Sequence, residues 1–471
     1  MDPIKFGTDG WRGVMAREFT FQNVRRVAQA ISEYVKDDAM KTPGRKKSPL
    51  AQPIWIGFDR RFQSDAFAKE IARVLQGNKL SPILLMESLP TPAISLMTHK
   101  DSCLGIMVTA SHNPPLYNGI KIKQDGRAVP ETVTTAVESF LDKTAPVRGS
   151  DYKEKSVKAV YLAYLKSKIN PAAVAKGLKR PVVIDYMHGA AAGLMEELLP
   201  PAKLRTIRTN HDPLFGGTPP EPIEQFLAPL IAAVKAEKAL IGIALDGDGD
   251  RVGLVDDKGQ YYTPCQVFPM IIDYLITKKG FKGKIVQSVS MGYLSGRIAR
   301  ALGFEFQELP VGFKHVAGEL AAGTAVIGGE ESGGYAWKGC LPERDGILAA
   351  MLLLEMCAVL KKTPSQIWKD VETKYGKSCF KRIDVRVHRA VADKAVWAAK
   401  LVKKLPKKIL GTEIKELIQV DGLKIILQGD HWILVRPSGT EPLMRLYAES
   451  DSPARTAELL ELAKKWVGPA T

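Results

Sequence analysis

A chain of 471 residues is too long for one ordinary core, and roughly three or four domains are expected. Its 45% hydrophobic and 25% charged residues are the composition of a soluble globular protein. The formal net charge of +16 could attract polyanions, but Lys and Arg are spread along the chain, with only short runs at Arg45-Lys46-Lys47 and Lys407-Lys408. That distribution reads as a solvated basic surface and argues against a nucleic-acid or membrane partner.

Five cysteines (Cys103, Cys265, Cys340, Cys357, Cys379) without CxxC spacing fit reduced thiols in a cytosol. The N-terminus, Met1-Asp2-Pro3-Ile4-Lys5, lacks a signal-peptide pattern. The most apolar stretch, Ile347 to Leu360, is shorter than the about 20 residues of a membrane span. It also contains Glu355 and reads as a buried helix. A cytoplasmic protein, monomer or homodimer, is the expectation.

In chain order, Pro53–Phe58 reads as a strand, Asp65–Leu75 as a helix, Pro82–Met86 as a strand and Ala93–His99 as a helix. Leu104–Val108 leads as a strand into a polar loop at Ser111. The cycle restarts with the strand Pro181–Asp185, after which His188-Gly189-Ala190-Ala191-Ala192-Gly193 is expected to open a helix. Strands Ala239–Leu245 and Val252–Val255 flank a carboxylate cluster. A third cycle runs through Lys284–Ser288, a helix near Tyr293–Leu302, and Ala325–Ile327. Such alternation predicts α/β units with largely parallel sheets. Beyond residue 375, Arg382–Val387 alternates with period two, Gly422–Leu427 and Trp432–Val435 read as strands of one antiparallel sheet, and Pro453–Trp466 as a closing helix. Boundaries near 150, 262 and 375 give domains 1–150, 151–262, 263–375 and 376–471.

The cluster Asp246-Gly247-Asp248-Gly249-Asp250-Arg251 can converge only if its loop folds back, which the two glycines permit. Three Asp suit Mg²⁺, which takes about six hard oxygen ligands. An EF-hand fits poorly, because Arg251 and Asp257 stand where that loop needs Gly and Glu. Arg251 could balance the acidic site or bind phosphate. The run Thr109-Ala110-Ser111-His112-Asn113-Pro114-Pro115, followed by Tyr117-Asn118-Gly119-Ile120-Lys121, holds a hydroxyl in a stiff loop. A serine hydroxyl needs a base or a charged environment to react, and a metal could supply the charge. His112 and Lys121 lie near enough in sequence to join it, Lys121 as proton shuttle or phosphate contact. Gly328-Gly329-Glu330-Glu331-Ser332-Gly333-Gly334-Tyr335 offers carboxylates for sugar hydroxyls. Arg436-Pro437-Ser438-Gly439-Thr440-Glu441-Pro442 reads as an anion nest, and Phe6-Gly7-Thr8-Asp9-Gly10-Trp11-Arg12-Gly13 as a loop folded into the site.

Taken together and in this order, the five motifs resemble the α-D-phosphohexomutase superfamily, over essentially the whole chain. TASHNPP with YNGIK is similar to its phosphoserine loop, DGDGDR to its metal loop, GEESGG to its sugar loop, RPSGTEP to its phosphate loop and FGTDGWRG to its N-terminal motif. The resemblance implies four domains around a central cleft, three similar α/β domains with mixed, largely parallel sheets and a smaller C-terminal α+β domain. It implies Mg²⁺ on Asp246, Asp248, Asp250 and the oxygen of a phosphorylated Ser111. Arg12, Lys121 and Arg251 would serve the reacting end; His112, from its place beside Ser111, is a further catalytic candidate or a structural hydrogen bond within the loop. Glu330, Ser332 and Lys314 would contact sugar, and Arg436, Ser438, Gly439 and Thr440 would grip the second phosphate. Gly334 stands where dual phosphomannomutase/phosphoglucomutases carry His, and Glu331 where phosphoglucosamine mutases carry Gln. GEESGG, His211-Asp212-Pro213-Leu214-Phe215-Gly216-Gly217 and Pro310-Val311-Gly312-Phe313-Lys314 are closest to phosphoglucomutase-type members. The expectation is glucose 1-phosphate to glucose 6-phosphate interconversion with glucose 1,6-bisphosphate as activator and intermediate. Phosphomannomutase and phosphoglucosamine mutase activities are the alternatives within the family. Outside it stand a phosphoserine-dependent phosphatase and a non-catalytic anion-binding protein.

Overall fold

The computed structural model describes residues 4–7, 9–41, 52–101, 104–388, 391, 393–438 and 442–467. Thr8, Arg45, Lys46, Lys47, Cys103, Gly439, Thr440 and Glu441 lie outside the described residues. The described chain forms two compact units. The first draws on Met1–Tyr262, Leu320–Ala322 and Ser332–Ser365, the second on Thr263–Glu319, Gly323–Glu331 and Gln366–Thr471.

The first unit opens with strand β1 (Trp11–Val14), helix α1 (Phe21–Lys41), β2 (Pro53–Phe58), α2 (Ser64–Gly77), β3 (Ser81–Leu85), α3 (Thr91–Asp101), β4 (Leu104–Val108), β5 (Tyr117–Gln124), β6 (Arg127–Ala128), α4 (Glu131–Ser139) and β7 (Lys153–Lys155). The strands form one sheet in the order β1-β5-β4-β2-β3-β7, with β6 on β5. From β4 to β7 the pairing is parallel; β5 and β1 add antiparallel strands. Residues of one face (Ile54, Ile56, Ile106, Val108, Ile120, Ile122) pack on Val24, Val27 and Ile31 of α1 and on Phe67, Ile71 and Leu75 of α2. Side chains of a strand alternate between faces. With Ile120 and Ile122 in this core, Lys121 and Lys123 of β5 point to the opposite face. Trp11 stacks on Phe19 with ring centroids 4.8 Å apart, which seats β1 in the same core and turns Arg12 to the face of Lys121.

The unit continues with α5 (Lys158–Lys168), α6 (Pro171–Gly177), β8 (Val182–Asp185), β9 (Leu204–Ile207), α7 (Ala228–Ala236), β10 (Gly242–Leu245), β11 (Val252–Val255) and β12 (Tyr261–Tyr262). This second sheet runs β12-β11-β10-β8-β9, parallel from β10 to β9 and antiparallel beyond. The helix expected from His188 does not form: no residue of 186–200 is helical, and most are in turns. Met187 (φ 45°) and His188 (φ 61°) are in the left-handed region, which breaks a helix at its start. The segment instead donates the N–H of Ala190 to the carbonyl of Gly247, at 2.9 Å.

The second unit opens with α8 (Pro264–Thr277), β13 (Lys284–Ser288), α9 (Leu294–Ala301), β14 (Phe306–Leu309), α10 (Phe313–Ala321) and β15 (Ala325–Glu330), with β13 parallel to both β14 and β15. The chain then supplies β16 (Gly334–Trp337) and α11 (Gly346–Leu360) to the first unit. The expected apolar helix is α11, and it is buried along nearly its whole length. After α12 (Pro364–Tyr375) come β17 (Cys379–Arg386), α13 (Lys394–Val402), β18 (Lys408–Ile409), β19 (Thr412–Ile418), β20 (Leu423–Leu427), β21 (Trp432–Pro437), β22 (Leu443–Ser450) and α14 (Pro453–Val467). These strands form an antiparallel sheet ordered β17-β22-β21-β20-β19-β18, whose apolar face (Leu423, Ile425, Val435, Leu446) packs on Leu459 and Leu460 of α14. Among the described residues the sheets alternate with helices up to α12, and an antiparallel sheet follows at the C-terminal end. Cys265, Cys340, Cys357 and Cys379 are free thiols. Among the described residues no helix is long and apolar enough to cross a membrane.

One ion pair within the second unit is costly to break. Lys424 of β20 is buried, with Nζ 2.6 Å from Glu308 Oε1, 2.9 Å from the carbonyl of Val289 and 4.1 Å from the Trp432 ring centroid. Removing one partner of such a pair leaves an uncompensated charge. Glu308→Ala is expected to lower unfolding free energy by about 2–4 kcal/mol in chemical denaturation. A loss within about 0.5 kcal/mol, the range of an ordinary surface substitution, would refute the assignment.

Candidate active site

The carboxylate cluster is a tight loop between the antiparallel strands β10 and β11, which pair Leu245 with Val252 at its base. Asp246 folds it back on itself: its Oδ1 accepts the N–H of Asp250 at 2.9 Å and of Arg251 at 3.0 Å. Gly249 takes φ +67°, which a glycine adopts without strain. As a result Asp246, Asp248 and Asp250 are fully buried and each offers an oxygen within 4.8 Å of the others.

Ser111 follows the end of β4, buried, with φ +53°. Its Oγ donates to Asp246 Oδ2 at 2.9 Å, so the nucleophile candidate and the acidic loop do share one pocket. The approach is close along the backbone as well. A side chain on Gly247 would place Cβ 2.5 Å from the Ser111 carbonyl oxygen, so only glycine fits there.

Cations and hydrogen bonds surround the carboxylates. Lys121 Nζ reaches Asp248 Oδ2 at 2.7 Å, Asp250 Oδ2 at 3.0 Å and Asp9 Oδ2 at 3.0 Å. Arg344 Nη2 bridges Asp9 at 2.8 Å and Asp250 at 2.7 Å. Thr91, the first residue of α3, donates its hydroxyl to Asp248 Oδ2 at 2.5 Å and its N–H to the Asp248 carbonyl at 2.9 Å. Arg251 Nε lies 3.7 Å from Asp250 Oδ1, and Arg12 Nη1 donates to Asn113 Oδ1 at 2.7 Å. Lys121 is 1% exposed, which rules out a solvated strand-edge lysine.

The titration directions follow from this crowding. Burial, then repulsion from Asp248 and Asp250, pushes the Asp246 carboxyl well up. Burial also opposes ionisation of Asp248, but Lys121 outweighs it and holds that carboxyl down. Burial disfavours the Lys121 ammonium, yet Asp248, Asp250 and Asp9 raise its pKa above the usual lysine value and keep it charged. His112 is pushed well below its ordinary value by burial and by Arg251, Arg12, Lys121 and Arg344, so it is neutral at pH 7. Its Nδ1 is buried without a hydrogen-bond partner among the described residues.

The donor set fits a hard divalent cation. Asp248 Oδ1 and Asp250 Oδ1 are buried and accept no hydrogen bond among the described residues, leaving anionic oxygens beside Asp246 for an ion. Asp246, Asp248 and Asp250 would hold Mg²⁺, with the Ser111 oxygen alongside.

Of the other sequence candidates, Ser332 belongs to the first unit, and Lys314, Glu330, Arg436 and Ser438 to the second. Glu330 ends β15 and is 4% exposed. Its neighbour Glu331 accepts hydroxyls from Ser290 at 2.6 Å and Ser288 at 3.1 Å. Lys314 is in the first turn of α10. Arg436 on β21 is fixed by Asp421, Nε to Oδ2 at 2.7 Å, and Ser438 follows it, buried.

Thr91, Arg344 and Asp421 carry no motif that singles them out in the sequence, and Asp9 stands in the N-terminal motif without an assigned role. Asp421 is 15 residues from Arg436, and the other partners stand far away along the chain; Asp250 and Arg344 are 94 residues apart. The one local signal is Arg344-Asp345-Gly346 before an apolar helix, a pattern of N-cap and helix start.

Comparison with known proteins agrees along the whole chain. Residues 3–148, 159–259 and 263–375 match the phosphoglucomutase/phosphomannomutase alpha/beta/alpha domains I, II and III, and residues 385–464 match the C-terminal domain of the same family. A protein of Thermococcus kodakarensis named "Probable phosphoglucosamine mutase" is 32% identical over 99% of this chain and 98% of its own. A crystal structure from Thermus thermophilus, described as a "putative phosphomannomutase", superposes with a TM-score of 0.85 at 33% identity, covering 99% of each chain. At 14% identity, an N-acetylphosphoglucosamine mutase of Aspergillus fumigatus, solved with GlcNAc-6P and magnesium, shares the fold with a TM-score of 0.56 over 99% of this chain and 96% of its own.

The residue after Arg344 is a buried pH-dependent element. Asp345 caps α11, accepting the N–H of Leu348 at 2.9 Å and the Tyr161 hydroxyl at 2.8 Å, while its Oδ2 has no hydrogen-bond partner among the described residues. Burial pushes its carboxyl from 3.8 up to about 7. A carboxyl raised on folding stabilises fully below its unfolded pKa, and that contribution is lost as pH rises through the folded value. Asparagine caps a helix equally well and does not titrate. Relative to wild type, Asp345→Asn is therefore expected to gain about 2–4 kcal/mol between pH 4 and pH 8. Thermal unfolding across that range checks it, and a pH-independent difference contradicts it.

Proposed function

The chain belongs to the phosphoglucomutase/phosphomannomutase family, and on that premise we propose that it interconverts glucose 1-phosphate and glucose 6-phosphate through phospho-Ser111 and a glucose 1,6-bisphosphate intermediate. The observation that carries this reading is the Ser111 hydroxyl 2.9 Å from Asp246, in a buried loop that also meets the Lys121 ammonium.

A sugar hydroxyl oxygen attacks the phosphorus on Ser111, the P–Oγ bond breaks, and the hydroxyl proton passes to a base. The bisphosphate turns around and returns its other phosphate to Ser111 by the reverse step. His112 beside Ser111 is kept neutral by burial and by four neighbouring cations, which disfavour its taking that proton, while Lys121, kept charged by three carboxylates, suits a phosphate oxygen. Arg12 and Arg251 add positive charge at the reacting end. Mg²⁺ on Asp246, Asp248 and Asp250, with the Ser111 oxygen, would neutralise charge that develops on the phosphoryl group. Glu330, Ser332 and Lys314 would receive the sugar, and Arg436, Ser438, Gly439 and Thr440 the phosphate that does not react. Arg436 suits that role because Asp421 already fixes its fork. Positioning and electrostatics then supply most of the rate.

Relatives named for glucosamine and mannose phosphates support a second reading, the same chemistry on either of those sugars. A coupled assay with the three sugar 1-phosphates, each with its 1,6-bisphosphate, decides between them. Glucose 1-phosphate is expected to give the highest kcat/KM, and a higher value on another sugar overturns the glucose assignment. Ser111→Ala is expected to lose about 10³-fold or more of kcat, and Asp248→Ala to lose both activity and its sensitivity to chelator. Near-normal turnover by purified Ser111→Ala, or full activity of Asp248→Ala in chelator, ends the mechanism.

A further inference from the structure

Arg61 is fully buried directly after β2 and its guanidinium is spent on one loop. Nη2 donates to the carbonyls of Ser111 at 2.7 Å and Asn113 at 2.6 Å; Nη1 donates to those of Pro114 at 2.9 Å and Tyr117 at 3.0 Å. Asp59 Oδ2 stands 3.3 Å from Nε. The same Asp59 oxygen accepts the Thr109 hydroxyl at 2.6 Å, and that hydroxyl accepts the N–H of Ser111 at 2.8 Å. Both peptide groups flanking the Ser111 Cα are thereby held through one Asp59–Arg61 pair. A left-handed φ at a residue other than glycine persists only where its surroundings over-determine it.

The His211–Gly217 motif, which the proposed chemistry does not use, closes this arrangement from the other side. Phe215 is buried, with its ring centroid 5.0 Å from the Arg61 guanidinium carbon. Asp212 shapes that turn by accepting the N–H groups of Leu214 and Gly216, both at 2.9 Å. Arg60 ties it down, donating to the Thr209 carbonyl at 2.8 Å, while its own carbonyl lies 3.0 Å from His211 Nε2.

We infer that Arg61 is a positioning residue that imposes the left-handed conformation of Ser111 and so aims its Oγ at Asp246, with Phe215 as the platform that fixes the guanidinium plane. This rests on Ser111 being the phosphate carrier. Only a planar fork with several donors serves four carbonyls; a lysine ammonium keeps the charge and loses the geometry. A small displacement of a reacting group is enough for about a 10²-fold loss of rate.

The test joins kinetics to a double-mutant cycle read without turnover. Arg61→Lys is expected to fold, to lose about 10²-fold in kcat with KM within about threefold, and to recover no more than a fewfold over Arg61→Met. In the Arg61 background, Ser111→Gly should melt about 2–4 °C above Ser111→Ala, because glycine accepts the left-handed φ and alanine does not. In the Arg61→Lys background that gap should close. Near-normal kcat in Arg61→Lys, or equal melting of the glycine and alanine variants with Arg61 present, overturns the inference; so does a gap that survives Arg61→Lys. If Arg61→Lys does not fold, Phe215→Leu, which keeps every donor, carries the test: its kcat falls about tenfold or more with KM within about threefold, and an unchanged kcat counts against the inference. Because neither residue-111 variant can carry phosphate, the melting gap stands or falls apart from the mutase reading, which fails instead if the wild-type enzyme isomerises no hexose phosphate.

Discussion

Three buried carboxylates of one short loop oppose a lysine ammonium and an arginine guanidinium that are buried with them, and the first unit is organised around keeping those charges matched. Removing charges from water costs several kcal/mol each unless partners replace the hydration. The partners come from every direction: Lys121 from β5, Thr91 from the N-terminus of α3, Arg344 from the segment before α11, and Ser111 from the end of β4. Asp9 extends the matching by joining Lys121 to Arg344, and lies 3.6 Å from Lys123 as well. Lys123, on the same face of β5, is held in turn by Glu343 at 2.6 Å. Two sheets and two helix starts are thus fixed relative to one another by electrostatics as much as by apolar packing.

What the sequence could express was whatever is local. Asp-Gly-Asp-Gly-Asp declares its own loop, because the glycines that let it fold back stand between the carboxylates. The period-two pattern of Arg382–Val387 and the apolar run of α11 are likewise written in consecutive residues, and the corresponding strand and helix formed. The misreadings arise where local pattern and tertiary context diverge. His188–Gly193 has the alanine content of a helix, yet two left-handed residues direct it past the acidic loop, where the N–H of Ala190 has a better partner. Trp11–Val14 reads as part of a loop, being short and flanked by glycines; its strand character comes wholly from pairing with β5 more than 100 residues later. Arg61 and Arg344 could not be distinguished from surface arginines, since their acceptors are backbone carbonyls and carboxylates far away in the chain.

Within the second unit, the adjacent acidic residues Glu330 and Glu331 differ in surroundings: Glu330 closes a buried strand, while Glu331 is occupied by two serine hydroxyls. Two identical side chains side by side are thereby given different duties, one at a strand end and one in pinning the loop that follows β13. The phosphate-type motif shows a similar economy, since Asp421 steadies both Arg436 and Lys394, the latter at 2.9 Å.

The Ser111–Asp246 bond spans 135 residues, and the Asp250–Arg344 bridge another 94. On the ribosome the serine loop is therefore made long before anything exists to receive it. A nascent chain halted before α11 has emerged would display Lys121 and the acidic loop without Arg344, a half-matched charge cluster that cannot close. Assembly of the charge cluster is thus tied to completion of the third quarter of synthesis, when Arg344 joins the acidic loop.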